Sequence, residues 1–67
     1  MTPVVLRIRQ LREVNGWSQA ELARRSKVNQ AVISRLESGE TQAVNFRNLE
    51  RLARALRCDP GYLILKR

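Results

Sequence analysis

Two helix starts, both spelled out in local chemistry, lie close together in the middle of this chain and dictate what it can become. The first is Trp17-Ser18-Gln19-Ala20-Glu21-Leu22. Ser18 and Glu21 have the spacing of a capping box, in which the hydroxyl oxygen accepts from a backbone N–H of the first turn. Trp17 before the cap and Leu22 after it have the spacing of a hydrophobic staple. The second start is Asn29, an N-cap residue, with Val28 and Ile33 as its staple. Ser26-Lys27-Val28 must therefore be a turn. The stretch 19–38, QAELARRSKVNQAVISRLES, reads as two short helices joined by that turn.

The second of these helices has two unlike sides. Ile33 and Leu36 point to a core, while Asn29, Gln30, Ala31, Ser34, Arg35 and Ser38 point outward. The outward set combines short polar side chains, one small apolar one and one cation, which suits base edges and phosphates. The rest of the chain frames this pair. Thr2-Pro3 opens a first helix, with Thr2 as N-cap and Pro3 at its first position. Val4, Ile8 and Leu11 form its buried stripe, and Asn15-Gly16 ends it. Ser38-Gly39 closes the third helix, and a polar loop runs from Glu40 to Val44. Asn45 caps a fourth helix containing Phe46, Leu49, Leu52, Ala53 and Leu56, ended by Arg57. Asp59-Pro60 starts a short fifth, where Tyr62, Leu63, Ile64 and Leu65 are apolar on nearly all sides. The expectation is one all-α, five-helix domain over 1–67.

Charge narrows the partner. Thirteen Lys and Arg against six Asp and Glu leave a net charge of +7, and no His is present. Such an excess favours a polyanion through counterion release and steering; the bland alternative is a solvated basic surface. A chain of 67 residues buries only roughly 60% of its unfolded surface, so its core is marginal. No apolar run has the length of a membrane span, and the opening MTPVVLRIRQ is not expected to act as a signal peptide. A lone cysteine excludes an intrachain disulfide and fits a reducing cytoplasm. No cofactor is expected.

The residues Ile8 to Arg12, Gly16 to Ala23, Val28 to Gly39, Leu49 and Leu52 to Leu56 together resemble the phage-repressor and Cro-like (XRE-type) helix-turn-helix family. The resemblance runs from about residue 4 to residue 65. It implies a bacterial or phage-encoded, cytoplasmic, non-enzymatic protein. It also implies a homodimer on a palindromic double-stranded DNA operator, with the third helix in the major groove. Half-sites would then lie ~34 Å apart.

Carried over residue by residue, the resemblance implies base contacts from Gln30, Ala31, Ser34 and Arg35. An amide can pair bidentately with adenine, a methyl can meet thymine, and a guanidinium can fork onto guanine or a phosphate. The competing reading is an exposed polar helix face. Gln19 matches the family's phosphate-contacting glutamine at a helix N-terminus. Ser18, Lys27, Asn29, Ser38, Asn45 and Arg47 are the further phosphate candidates. For Arg12 and Glu37 the resemblance implies an ion pair, read as structural. Tyr62, Leu63 and Leu65 are the candidate dimer contacts, the alternative being that they cap the monomer's core.

The chain departs from the family in places. Lys27 and Arg57 stand where the family most often has glycine. Either the backbone there keeps φ > 0 at a cost of about 1 kcal/mol, or it takes another path. The loop from Glu40 to Asn45 lacks the usual basic cluster. Arg47, Arg51 and Arg54 share one face of the fourth helix, as a solvated face partly balanced by Glu50 or as a second anionic contact. Cys58 is read as a buried thiol. Three rivals stand beside a dimeric repressor. The first is an antitoxin or restriction-modification-type controller, which binds its own promoter and a protein partner. The second is a helical module whose outward face meets protein. The third is a small enzyme, which the lack of His, a Cys pair, clustered carboxylates and a glycine-rich phosphate loop disfavours.

Overall fold

Cap chemistry sets where three of the helices begin. Ser18 Oγ accepts from Glu21 N–H at 3.0 Å, and α2 runs Gln19–Ser26. Asn29 Oδ1 accepts from Ala31 N–H at 2.7 Å, and α3 runs Gln30–Ser38. Asn45 Oδ1 accepts from Asn48 N–H at 2.7 Å, and α4 runs Phe46–Leu56. Each cap satisfies a backbone donor that has no partner inside its own helix. The capping box at Ser18 is only half closed, because the Glu21 carboxylate turns to Arg24 and Arg25. The computed structural model describes residues 4–40 and 44–66, with side chains over 7–40 and 44–64.

The two ends of the chain differ from the sequence expectation. The first helix, α1, spans Ile8–Val14 and does not reach back to Pro3. Val4–Leu6 is instead a strand, β1, antiparallel to β2 over Ile64–Lys66, with Val4 opposite Lys66 and Leu6 opposite Ile64. The Arg7 N–H donates to the Leu63 carbonyl at 2.8 Å, and the Arg7 guanidinium stacks over Tyr62 at 4.3 Å. Consecutive β-branched residues favour the extended form once a partner strand is at hand, and the helical spacing of Val4 with Ile8 concealed that. The expected cap Thr2-Pro3 lies outside the described residues. The fifth helix is a single 3-10 turn, Pro60–Leu63, with Asp59 Oδ1 accepting from Gly61 N–H at 2.9 Å. Among the described residues the fold is thus four α-helices, one 3-10 turn and a two-stranded clasp joining the ends.

One core draws on all of these helices. Ile8, Leu22, Ile33, Leu52 and Leu63 are wholly buried, with Val28, Leu36, Leu49, Ala53 and Leu56 around them. Each large side chain removed from water in this way stabilises by roughly 1.5–3 kcal/mol. Leu63 therefore follows the alternative reading, packing into the monomer's core, and offers no exposed surface for a dimer contact. The Leu65 side chain lies outside those described, so Tyr62, half-exposed beneath Arg7, is what the described side chains leave of the expected dimer patch. Phe46, placed with the core stripe of the fourth helix, is 65% exposed in the first turn of α4.

The turn between α2 and α3 is tight and strained. Ser26 is buried, and its Oγ accepts from Val28 N–H at 3.2 Å. Lys27 takes the left-handed conformation, φ 64°, and its N–H donates to the Ala23 carbonyl. Arg57 does the same after α4, φ 59°. Of the two paths open from the sequence, the chain takes the one with positive φ at both residues. A side chain there costs roughly 1–2 kcal/mol.

Candidate nucleic-acid interface

Glu37 anchors the outward helix from beneath. Its side chain is closed off from solvent, and the Arg12 guanidinium holds it with two bonds of 2.8 Å, Nε to Oε2 and Nη2 to Oε1. The third arm of Arg12 reaches the Trp17 carbonyl at 2.8 Å. Gln19 Nε2 donates to Glu37 Oε1 at 3.1 Å, and Arg9 approaches the same oxygen at 3.5 Å. One carboxylate on α3 thus receives donors from α1 and from the start of α2. Burial alone would push the Glu37 carboxyl up. The hydrogen bonds from Arg12, Gln19 and Arg9 and the Arg12 charge outweigh it and hold the carboxyl below its ordinary value. The same hydrogen bond raises the pKa of Arg12 against the cost of its burial.

With Ile33, Leu36 and Glu37 turned inward, α3 leaves Gln30, Ala31, Ser34 and Arg35 exposed on one side. Among the described residues no side-chain partner holds Gln30, Ser34 or Arg35 back from that surface. The sequence-predicted phosphate candidates are for the most part accessible. Ser18, Lys27, Asn29, Asn45 and Arg47 are exposed, and Gln19 is half-buried. The caps leave donors to spare, since Asn29 and Asn45 spend an amide oxygen on the backbone and keep their NH₂ groups. Gln19 has one amide hydrogen committed to Glu37 and one left. Sequence reasoning missed this tie, because Gln19 and Glu37 are far apart in the chain. Ser38 is the most occupied of the set. Its Oγ donates to the Arg35 carbonyl at 3.1 Å and accepts from Glu40 N–H at 3.2 Å.

Two acids of α2 and α3 are held by cations, while Glu40, just past the end of α3, is exposed. Glu37 is enclosed by its cations, and hydrogen bonds from Arg24 and then Arg25 hold the exposed Glu21 carboxyl below its usual value. What faces outward is a neutral and cationic ridge flanked by N–H donors. Away from it, Cys58 is half-buried against the core, and burial together with Asp59 pushes its thiol up. Among the described residues no group of His, Cys, Asp and Glu could hold a metal ion, and no helix is long and apolar enough to cross a membrane.

This arrangement is a helix-turn-helix. The helix-turn-helix family model matches residues 8–63, and the chain belongs to that family, in its phage-repressor-like branch. Among solved structures, the chain is similar to the P22 c2 repressor protein in complex with a synthetic operator. The two are 40% identical with a TM-score of 0.76, over 85% of each chain. It is also similar to the DNA-binding domain of the same repressor in solution, at 40% identity and a TM-score of 0.75, over 85% of this chain and 74% of that one. No curated protein matches the chain.

Proposed function

We propose that this protein is a sequence-specific repressor of transcription that binds double-stranded DNA as a homodimer in a bacterial or phage-infected cytoplasm. α3 lies in the major groove of each half of a palindromic operator. Gln30, Ala31, Ser34 and Arg35 read base edges, and Ser18, Gln19, Lys27, Asn29, Asn45 and Arg47 hold phosphates. The observation that carries this reading is the outward side of α3, where amide, methyl, hydroxyl and guanidinium stand exposed and, among the described residues, without side-chain partners. The 40% identity to a repressor whose structure was solved on an operator supports the same ligand class. The net charge of +7 supplies the long-range attraction.

Reading a base by hydrogen bonds requires donors and acceptors held still. Arg12 and Gln19, converging on Glu37, tie α3 to α1 and α2 at its far end, while Ile33 and Leu36 seat it in the core. The helix backbone therefore meets the duplex already positioned, so that only the ridge side chains are left to order, which lowers the entropic cost of recognition. Repeated selection from a random duplex pool tests the proposal. The expected result is an enriched inverted repeat with half-sites one helical turn apart. A pool that stays unenriched while binding remains steeply salt-dependent would reduce the protein to a non-specific DNA binder.

A further inference from the structure

A second basic site lies beside α2 and α4, apart from the outward side of α3. It is a cleft of about 890 Å³ where Arg25 and Lys27 of the α2 end face Arg51, Arg54 and Arg57 of the α4 end, with Trp17 in its wall. No carboxylate is among the residues that line it. Among the described residues only Arg25 of these five cations is in an ion pair, with Glu21. The Arg25 guanidinium also lies over the Trp17 ring at 4.4 Å.

Helix dipoles favour a cation near each of the two C-termini, but they do not account for five gathered around one cavity, where like charges repel. Nor do they account for the two left-handed caps. Lys27 and Arg57 both line the cleft, and both occupy backbone positions that a glycine would hold without strain. Strained backbone positions cluster at ligand-binding sites, and two of them fall in this one cleft.

We propose that this cleft binds linked phosphate groups, either as a free condensed phosphate or as a stretch of DNA backbone outside the major-groove contact. Its volume lies in the range of small-ligand sites, about 300–1,000 Å³. Linked phosphates concentrate several charges in such a space, and each offers the paired oxygens that a guanidinium fork matches. Peptide carboxylates, one to a side chain, are more widely spread. The site adds to the α3 reading without depending on it; of the five cations, the two surfaces share Lys27.

Trp17, the only tryptophan, reports on the cleft directly. The whole chain is titrated with inorganic tripolyphosphate while Trp17 emission is followed, against sodium chloride of equal ionic strength. The expected result is a saturable change, with affinity weakened roughly tenfold or more in Arg51→Gln/Arg54→Gln, as on losing a charge-assisted bond. Arg57→Gly should also weaken it while relieving backbone strain, so that loss of fold cannot explain the effect. A response matching the salt control, or one unchanged in both variants, overturns the proposal. Equal affinity for polyglutamate overturns it in favour of an acidic protein partner. Competition by a duplex of unrelated sequence separates the two sources. Displacement by the duplex from the wild type, together with a duplex affinity that falls in Arg51→Gln/Arg54→Gln, assigns the cleft to DNA backbone; a duplex affinity unchanged in that variant assigns it to free polyphosphate, and both outcomes uphold the phosphate chemistry.

Discussion

The Arg12 guanidinium grips the Glu37 carboxylate with two bonds of 2.8 Å, joining the first helix to the helix that carries the outward ridge. Glu37 is shut off from water and Arg12 is 12% exposed, so neither charge has solvent to fall back on. Arg12→Ala leaves a carboxylate enclosed without its main partner and should destabilise by about 3–5 kcal/mol. Replacing both residues by apolar ones of similar size should cost much less than the sum of the two single changes. Urea denaturation of the four proteins of a double-mutant cycle measures this. Additive losses would mean that the pair is not coupled.

The same carboxylate makes stability depend on pH. Its folded pKa lies below the unfolded value of 4.5. Its contribution is therefore complete above that value and is lost as pH falls from there through the lower folded one. Glu21 shifts in the same direction but is exposed, so its share is smaller. Unfolding midpoints taken from neutral pH down to about pH 3 should fall for the wild type, and fall less steeply for Glu37→Gln. Identical slopes would show that Glu37 is not the titrating group.

Lys27→Gly and Arg57→Gly should each stabilise the fold. The relieved strain is roughly 1–2 kcal/mol, offset in part by the lost dipole interaction and the freer unfolded chain, leaving a gain of about 0.5–1 kcal/mol. Denaturant midpoints read this out. Lys27→Gly should at the same time weaken binding to all duplexes alike, since a phosphate contact carries no sequence information. A Lys27→Gly protein that is less stable would contradict the left-handed assignment.

Leu63 separates a core role from a dimer role. Wholly buried, it should cost about 2–5 kcal/mol on truncation to Ala. That loss should be independent of protein concentration. A midpoint that recovers as the concentration rises would return Leu63 to a subunit interface.

The parts of the fold that depend on neighbouring residues were legible beforehand. Ser18, Asn29, Asn45 and Asp59 act as caps because a short side-chain oxygen needs only the next few residues to do so. The stripe of Leu49, Leu52 and Leu56 carries its own period. What escaped depends on distant partners. Val4 suits a helix or a strand by spacing, and only β2, from the other end of the chain, decides between them. Phe46 has the right period for the core but stands one turn beyond its edge. The tie from Gln19 to Glu37 has no local signature, and the Arg12–Glu37 pair follows from family resemblance, not from pattern. The cleft at Arg51, Arg54 and Arg57 shows in the sequence only as basic residues on one helix. The end of α2 makes it a cavity.

The role given to the α3 ridge is tested most directly by binding energies on a panel of selected operators, each altered at one base pair. Gln30→Ala and Arg35→Ala should each lose ~1–3 kcal/mol on the parent site. Each should also become indifferent to the base at one position per half-site while still discriminating at the others. A loss of equal size on every duplex in the panel would mean that these side chains hold the backbone and do not read the bases.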